Sequence, residues 1–306
     1  MKMLKLLTLM WFVSCFGAVL AEEPAEITDY SIVGEGAVKV LIIPCMSCRW
    51  RAFDGFMQRN KDKYTMYAVT IPGYGGSKIP DLPMYGTQPV WQNHAIKALE
   101  HFIEQYQIKD AVVLTHSWGA MIATSLLAKD ASFAQSWVIL DNYIPMDEAE
   151  QNLPYEEKVK LVDRWRIESM EPYRAPDQWA KFNKASSRIP ADRQLLYHGM
   201  FMATPPDVVF QYWRENGLMD VNKNFAKINI PVLEIKSISE RQTDHAAAMK
   251  RYLSRYDTIA HPAQLKTVFI HNTGHHQIEE RPYEIDQLLD DYIQGKKVAD
   301  VYPQEK

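Results

Sequence analysis

The sequence contains few cysteines and no concentration of positive charge. Only three of its 306 residues are cysteine, and the formal net charge is −4 at pH 7. No run of lysine or arginine is present, so the chain lacks a basic field for nucleic acid and a basic patch for a polyanion. A second pair of cysteines at metal-ligand spacing is also missing, which argues against a zinc site. Internal repeats and low-complexity tracts are absent as well.

The amounts of apolar and charged residues are ordinary for a globular protein. The chain is 47% hydrophobic and 24% charged, which is enough to bury a large core. This length and composition fit one large domain, or one domain with an insertion, better than two equal domains. We expect the partner to be a small, partly apolar substrate rather than nucleic acid. We expect neither a metal nor a cofactor, and the sequence leaves the oligomeric state open.

The first 21 residues differ from the rest of the chain. Lysines give a positively charged start, an apolar stretch follows over residues 6–20, and it ends at Ala21 just before an acidic pair. This order predicts a cleavable secretory signal over residues 1–21, and hence a periplasmic or secreted protein. The apolar stretch is about 15 residues long against the roughly 20 that cross a bilayer, so it does not predict a stable membrane span.

The cysteines bear on the compartment and on the signal. Phe12 to Cys15 outlines a lipoprotein box, which is less favoured because phenylalanine is poor at its first position and apolar sequence continues past Cys15. Cleavage after Ala21 removes Cys15 and leaves Cys45 and Cys48 as the cysteines of the mature chain. In an oxidising compartment this predicts a disulfide between them.

Strand patterns alternate with helical patterns along the mature chain. The first two predicted strands are joined by a tight turn at residues 34–36. Helical patterns follow several of the strands and separate them from the next. The alternation predicts an α/β fold with a mostly parallel central sheet and helices on both faces. The predicted strands are Ile27–Val33, Val38–Ile43, Tyr64–Thr70, the apolar run that begins at Ala111, Trp137–Asp141, Ile230–Ile235 and Lys266–Ile270.

One long segment interrupts this alternation. Between Tyr143 and about Ala226 no strand-like apolar run appears, and aromatic residues are scattered through polar helical sequence. We predict a helical cap over residues 143–226, inserted between the two parts of the α/β core at 22–142 and 227–306. Most of its aromatic residues are expected in the core of the cap, and a minority are expected to face a substrate.

A serine interrupts the apolar run from Ala111, and helix-forming sequence follows it. Such a strand, serine and helix outline a nucleophile elbow, in which the serine lies at a strained corner and small residues are needed two positions to either side. Gly119 supplies one small residue, and Thr115 supplies the other less well. The pattern predicts Ser117 as a nucleophile.

Serine needs a base near neutral pKa, and that base needs a carboxylate. A loop just past the last long strand carries His275, which can reach the edge of the sheet where Ser117 is exposed. His116 is the rival base, but adjacent residues of a strand point to opposite faces, so we expect it to point away from the reaction centre. Three acids, Glu240, Asp244 and Asp141, follow strand ends in the required chain order.

Four motifs in this order resemble the α/β-hydrolase superfamily, in its capped esterase, lipase and proline-iminopeptidase-like branch. The resemblance covers nearly all of the mature chain. It implies a serine hydrolase that cleaves an ester, amide or thioester through an acyl-enzyme. The motifs are the Pro44–Trp50 loop, similar to the family's oxyanion loop, Ile71–Ser77, similar to its Asp-x-Pro-Gly-x-Gly-x-Ser region, His116–Gly119, similar to its elbow, and Gly274–His275 followed by Glu280–Pro282, similar to its histidine loop.

The resemblance also implies a role for each matching position. Ser117 becomes the nucleophile and His275 the base, while the backbone amides of Met46 and Trp118 become oxyanion donors. Glu240 falls where the family's acid stands, so we prefer it to the alternative acids Asp244 and Asp141. The chain departs from the pattern at Pro44–Cys45, at Thr115 and at the glutamate.

Other functions stay open from the sequence. An acyltransferase would differ only in its acceptor, and a ligand-binding protein on a decayed hydrolase fold would lack activity. Dehalogenase and epoxide hydrolase chemistry is disfavoured, because those relatives carry aspartate at the elbow. Cys45 and Cys48 follow a strand as in a thioredoxin-like redox centre, but that function leaves the elbow and the histidine loop unexplained. A disulfide that stiffens the oxyanion loop is the better interpretation.

Overall fold

The computed structural model of the chain describes residues 24–141, 148–182, 188–242, 244–254, 256–257 and 261–302. The predicted signal segment, residues 1–21, lies outside the described residues. Within the described ranges, none of the helices combines the length and apolar character that crossing a bilayer requires.

A central sheet of eight strands organises the described chain. Its order is β1-β3-β2-β4-β5-β6-β7-β8. β1 is antiparallel to β3, and every other neighbouring pair is parallel. This confirms the prediction of a mostly parallel α/β sheet. The strands are β1 (Tyr30–Val33), β2 (Val38–Ile43), β3 (Tyr64–Val69), β4 (Ala111–His116), β5 (Ala134–Leu140), β6 (Val232–Ile238), β7 (Leu265–His271) and β8 (Val301–Tyr302).

Helices cover both faces of the sheet, because the inner strands are apolar on both sides. In β2, Leu41 and Ile43 join an apolar cluster with α2 and α3, whereas Val40 and Ile42 join a second cluster with α1 and α12. This is the period-two alternation of a strand. The helices are α1 (Asp54–Asn60), α2 (Val90–Gln105), α3 (Gly119–Lys129), α4 (Glu148–Gln151), α5 (Tyr155–Trp165), α6 (Pro176–Phe182), α7 (Ala191–Met202), α8 (Pro206–Leu218), α9 (Val221–Ala226), α10 (His245–Leu253), α11 (Gln277–Glu280) and α12 (Pro282–Ile293).

The first two strands are not neighbours, so the predicted tight turn between them is wrong. β3 lies between them, and the glycine loop runs closely over the start of β3. A Cβ on Gly34 would lie 2.1 Å from the Tyr64 carbonyl oxygen, and one on Gly36 would lie 2.0 Å from that of Lys63. Gly34 also has a φ of +92°, which only glycine adopts without strain. The glycines therefore permit a crossing rather than a hairpin.

Over the described residues 148–182 and 188–226, the chain between β5 and β6 consists of helices joined by short turns and contains no strand. The first residues of the predicted cap, 143–147, lie outside the described part. α8 joins this segment to the core through Tyr212, whose hydroxyl donates to the Pro72 carbonyl at 2.9 Å. The Tyr212 ring also packs against Tyr74 and Trp91, with centroids 4.9 and 5.6 Å away. The helical segment is thus held over the carboxyl ends of the central strands.

Candidate active site

Ser117 lies at the corner between β4 and α3. Its φ is +52°, a conformation that is uncommon for a residue with a side chain and that marks local strain. Its amide donates to the Leu140 carbonyl on β5 at 2.9 Å. A Cβ on Gly119 would lie 2.3 Å from the Ile43 carbonyl oxygen and 2.5 Å from that of Pro44. The elbow therefore requires glycine at 119, because α3 begins against the end of β2.

Thr115 occupies the position where the elbow pattern prefers glycine. The residue is fully buried, and its hydroxyl accepts a hydrogen bond of 3.0 Å from the Trp137 indole nitrogen on β5. A buried indole N–H needs such a partner. Threonine is accommodated here because its side chain satisfies the neighbouring strand.

The loop after β2 carries the predicted oxyanion donor between two bonded cysteines. Cys45 and Cys48 form a disulfide with a Cα–Cα distance of 5.1 Å, and the Cys48 amide donates to the Cys45 carbonyl at 3.0 Å. Ser47 has a φ of +60°. Met46 lies half-buried within this small ring and packs against apolar residues of both the core and the helical segment. Gly119 contacts Ile43 and Pro44 where this loop begins, and Met46 lies two residues after Pro44.

An aspartate outside the predicted motifs holds the far end of this loop. Asp29 accepts two hydrogen bonds from Arg49, at 2.8 and 2.9 Å, and one from the Trp50 indole at 3.2 Å. The Thr70 hydroxyl donates to it at 2.6 Å. Burial opposes the charge of Asp29, but the bonds from Arg49 and Thr70 outweigh it and lower the pKa of the carboxyl. Asp29 precedes β1 without any sequence motif, and sequence reasoning missed it.

His275 contacts Asp141. Its Nδ1 lies 2.7 Å from Asp141 Oδ2, a bond that fixes which imidazole nitrogen faces away from the carboxylate. Asp141 directly follows β5 and has a φ of +43°, and His275 lies in the loop after β7. The two strands flank β6 in the sheet, so their carboxyl ends bring both side chains to the edge where Ser117 turns the chain.

The sequence preference for Glu240 as the partner of His275 is corrected by this geometry. The Glu240 side chain is 65% exposed and pairs with Arg188 at 3.0 Å. Asp244 caps α10, where its carboxylate accepts from the Ala247 amide at 2.9 Å. Both loop acids have other partners, and Asp141, the third candidate, is the acid at His275.

Two further groups hold Asp141. Lys236 Nζ lies 2.7 Å from Oδ1, and the Ser237 amide donates to the same oxygen at 3.1 Å. Burial opposes the charge of Asp141, but the hydrogen bond from His275 and the charge of Lys236 outweigh it, so the pKa of the carboxyl lies well below its usual range. Asp141 is therefore ionised at neutral pH. No sequence signal singled out Lys236.

The backbone of the histidine loop is fixed directly before His275. The Ser237 hydroxyl donates to the Gly274 carbonyl at 2.6 Å, and the Gly274 amide donates to Glu280 at 2.8 Å. Arg188 Nε in turn donates to Glu280 at 2.5 Å. Arg188 belongs to the chain between β5 and β6, so that segment helps to fix the loop. The glutamate of the histidine-loop motif, Glu280, therefore holds the Gly274 backbone in place.

Two other histidines surround His275. His116 Nε2 bonds the His275 carbonyl oxygen at 2.8 Å, and the two rings lie 4.7 Å apart. His116 therefore packs against His275 rather than pointing away from the reaction centre. His276 stacks on Tyr197 of α7 at 4.5 Å. Burial lowers the pKa of His116 well below its usual range and that of His276 to about 3, so both rings are neutral.

One nitrogen from each of His116, His275 and His276 lies within 4.8 Å of the other two. Three clustered imidazoles are a common ligand set for transition metals. Here His275 Nδ1 is engaged by Asp141 and His116 Nε2 by a carbonyl oxygen. These hydrogen bonds account for the orientation of two of the three rings, so we assign the cluster no metal-binding role.

Aromatic side chains connect the elbow to the helical segment. The ring of Trp118, which follows Ser117, lies 6.1 Å from Trp213 on α8, and Trp213 lies 4.9 Å from Trp165 on α5. Phe182 also packs against Trp213 at 6.3 Å. The elbow is therefore joined to the helical segment by aromatic packing. That a minority of these residues faces a substrate stays a prediction.

The sequence profile described as the Alpha/beta hydrolase family matches residues 40–287. No curated protein matches the sequence. Three similar solved structures are the hydrolase olei00960 from Oleispira antarctica, MenH from S. aureus and the esterase RhEst1 from Rhodococcus sp. ECU1013.

These three likenesses extend over nearly the whole of each chain. The Oleispira hydrolase is 15% identical, with a TM-score of 0.64 over 90% of this chain and 97% of that one. MenH is 15% identical, with a TM-score of 0.61 over 88% of this chain and 98% of that one. The esterase is 14% identical, with a TM-score of 0.63 over 88% of this chain and 94% of that one. At these identities the likeness concerns the fold. The family match covers most of the chain and includes the elbow and the histidine loop, and the chain therefore belongs to the α/β hydrolase family.

Proposed function

We propose that the protein is a serine hydrolase that cleaves an ester, amide or thioester of a small, partly apolar substrate. The observation that carries the proposal is the 2.7 Å hydrogen bond between His275 Nδ1 and Asp141 Oδ2, at the sheet edge where Ser117 has a strained conformation. Family membership supports hydrolysis in general, and this arrangement supports a serine nucleophile in particular.

The proposed reaction has two halves. Ser117 Oγ bonds to the acyl carbon while its proton passes to His275 Nε2, and the leaving group departs with that proton. Water then attacks the acyl-enzyme and gives a proton to His275, which returns it to Ser117 as the acid product leaves. Asp141 stabilises the imidazolium throughout. The backbone amides of Met46 and Trp118 are the proposed donors to the oxyanion.

The test is labelling by a fluorophosphonate, followed by a panel of p-nitrophenyl esters of varied chain length and of aminoacyl amides. We expect the protein to be labelled and the Ser117→Ala variant to be unlabelled, with hydrolysis reduced by several orders of magnitude. Equal labelling of both proteins would refute Ser117 as the nucleophile. Retention of ester hydrolysis by Ser117→Ala would refute the proposed reaction.

We also propose that the protein is exported, on the basis of its first 21 residues. A cleaved secretory signal leaves a mature chain that begins at Glu22. Intact-mass measurement of the protein from the producing cell tests this directly, and a chain that keeps Met1–Ala21 would refute it.

A further inference from the structure

A lysine lies on the far side of the carboxylate that holds His275. Lys236 Nζ is 2.7 Å from Asp141 Oδ1, and His275 Nδ1 is 2.7 Å from Asp141 Oδ2. The side chains of Lys236 and Asp141 are 19% and 9% exposed, so solvent and salt screen this pair weakly. Both oxygens of the carboxylate are therefore occupied, one by an ammonium and one by the imidazole.

A second buried carboxylate lies two residues before the lysine on β6. Glu234 is fully buried and accepts hydrogen bonds from the hydroxyls of Tyr252 and Tyr256, the latter at 2.6 Å. Lys236 Nζ lies 5.0 Å from the centroid of the Tyr252 ring. The ammonium is thus held between Asp141 and the face of an aromatic ring whose hydroxyl is anchored by Glu234. Its position is determined by packing and is not that of a freely rotating surface lysine.

We propose that Lys236 is a positioning residue for the hydrolytic reaction: it fixes the orientation of Asp141 and makes the partner of His275 a neutral ion pair instead of a bare carboxylate. The inference rests on the proposed function, because it concerns the base of that reaction. Lys236 acts through Asp141 and is not assigned any contact with substrate.

The orientation of Asp141 follows from the different partners of its two carboxylate oxygens. Lys236 and the Ser237 amide both bind Oδ1, which leaves Oδ2 directed at His275. Without the ammonium, Oδ1 would keep one neutral donor, and the carboxylate could rotate. A mispositioned acid lets the imidazole ring turn, which lowers the rate of proton transfer from Ser117.

The charge has a separate effect. An ammonium on the far side of Asp141 opposes the stabilisation that the carboxylate gives to the imidazolium. Among the described residues, the other titratable groups against His275 are His116 from β4 and His276 from its own loop, and burial keeps both neutral. Beyond Gly274, Arg188 is paired with Glu280 and Glu240. The charge of Lys236 therefore opposes the positive charge that His275 gains when it takes the proton of Ser117.

The experiment measures the second-order rate of inactivation by a fluorophosphonate as a function of pH, which requires no knowledge of the substrate. In Lys236→Met we expect the midpoint of the acidic limb to rise by about one pH unit, a tenfold change in proton affinity. Lys236→Arg keeps the charge and should keep the midpoint. Lys266→Met is the matched control, because Lys266 lies near the start of β7 and pairs with Asp300 instead.

Each outcome decides between the possibilities. A midpoint in Lys236→Met equal to that of the unchanged protein would overturn the inference, as would an equal shift in Lys236→Arg or Lys266→Met. If Lys236→Met does not fold, as judged by its thermal transition, Lys236→Gln provides the same neutral test. Labelling that persists in Ser117→Ala would refute the proposed function itself, whereas labelling lost there with unchanged midpoints would refute only the role of Lys236.

Discussion

At the scale of single residues, the site depends on groups that face each other from separate strands. Asp141 and His275 are 134 positions apart in sequence, and Lys236 comes from a third strand. Each is held by further bonds, so that the Asp141 carboxylate has a partner on both oxygens. Such networks are costly to break, because a buried charge loses its partner.

Replacing the acid tests which carboxylate serves His275. Asp141→Asn should lower kcat by about 10³ to 10⁴, because an amide neither stabilises the imidazolium nor fixes its tautomer. Glu240→Gln is the control: it removes an exposed acid that pairs with Arg188, and we expect kcat to change by less than about threefold. Steady-state kinetics on an ester that Ser117→Ala fails to cleave measures both. The reverse ranking would restore Glu240 as the acid.

At the scale of elements, the proposed catalytic groups lie at corners and loops that follow strands, and hydrogen bonds hold these loops in place. The proposed oxyanion loop carries the disulfide at one end and the Asp29–Arg49 ion pair at the other. The Ser117 amide attaches the elbow to β5 by a hydrogen bond to the Leu140 carbonyl. Because Met46 lies inside the disulfide ring, the geometry of its amide depends on that bond.

Opening the ring should therefore loosen a proposed oxyanion donor. We expect Cys45→Ala/Cys48→Ala to lower kcat by about 10-fold or more, approaching the loss of one oxyanion donor, with a smaller change in KM. A double variant is preferable to a thiol reductant alone, since both cysteines are buried. Circular dichroism controls for folding. An unchanged kcat in the folded variant would show that the disulfide does not support the donor.

At the scale of the whole molecule, α8 connects the helical segment to the α/β core through buried polar groups. Glu215 on α8 accepts from the Gln92 amide of α2 at 2.7 Å and from Gln211 at 2.5 Å. Burial raises the pKa of Glu215 to about 7. The junction between the two parts of the molecule thus contains a carboxyl that gives up its proton near neutral pH.

This predicts a pH-dependent stability. Folded Glu215 keeps its proton up to about pH 7, whereas the unfolded residue loses it near 4.5, so the free energy of unfolding should fall as pH rises through this window. The contribution is up to about 3 kcal/mol. Urea unfolding at pH 5 and pH 8 measures this. Between these two pH values, the free energy of unfolding should fall less in Glu215→Gln than in the unchanged protein. Glu157→Gln, an exposed change on α5, should match the unchanged protein, and parallel curves for all three would contradict the prediction.

The apolar runs of the sequence determined much of this fold. Leu41 and Ile43 on one face, and Val40 and Ile42 on the other, require helices on both sides of β2. Burying each such side chain favours folding by about 1.5 to 3 kcal/mol, which is why the parallel sheet was predictable. The placement of β1 beside β3 was not, because it depends on the close approach of Gly34 and Gly36 to β3. The two-residue β8 pairs with β7 and is too short to leave a periodic signal.

The candidate site likewise has a part that could be predicted from the sequence and a part that could not. The strained corner at Ser117 was predictable, because it needs Gly119 beside it, and this is a local requirement of the backbone. The position of His275 in a loop after a strand was predictable from the apolar run before it, and the catalytic roles of both residues stay proposals. The carboxylate that contacts His275 was not predictable, because Glu240, Asp244 and Asp141 all follow strand ends in the same sheet. Only the tertiary structure decided among them: Arg188 and the start of α10 occupy the two loop acids, and β5 presents Asp141 to His275. Local sequence determines backbone geometry, whereas the choice of an ion pair depends on which distant charges the fold brings together.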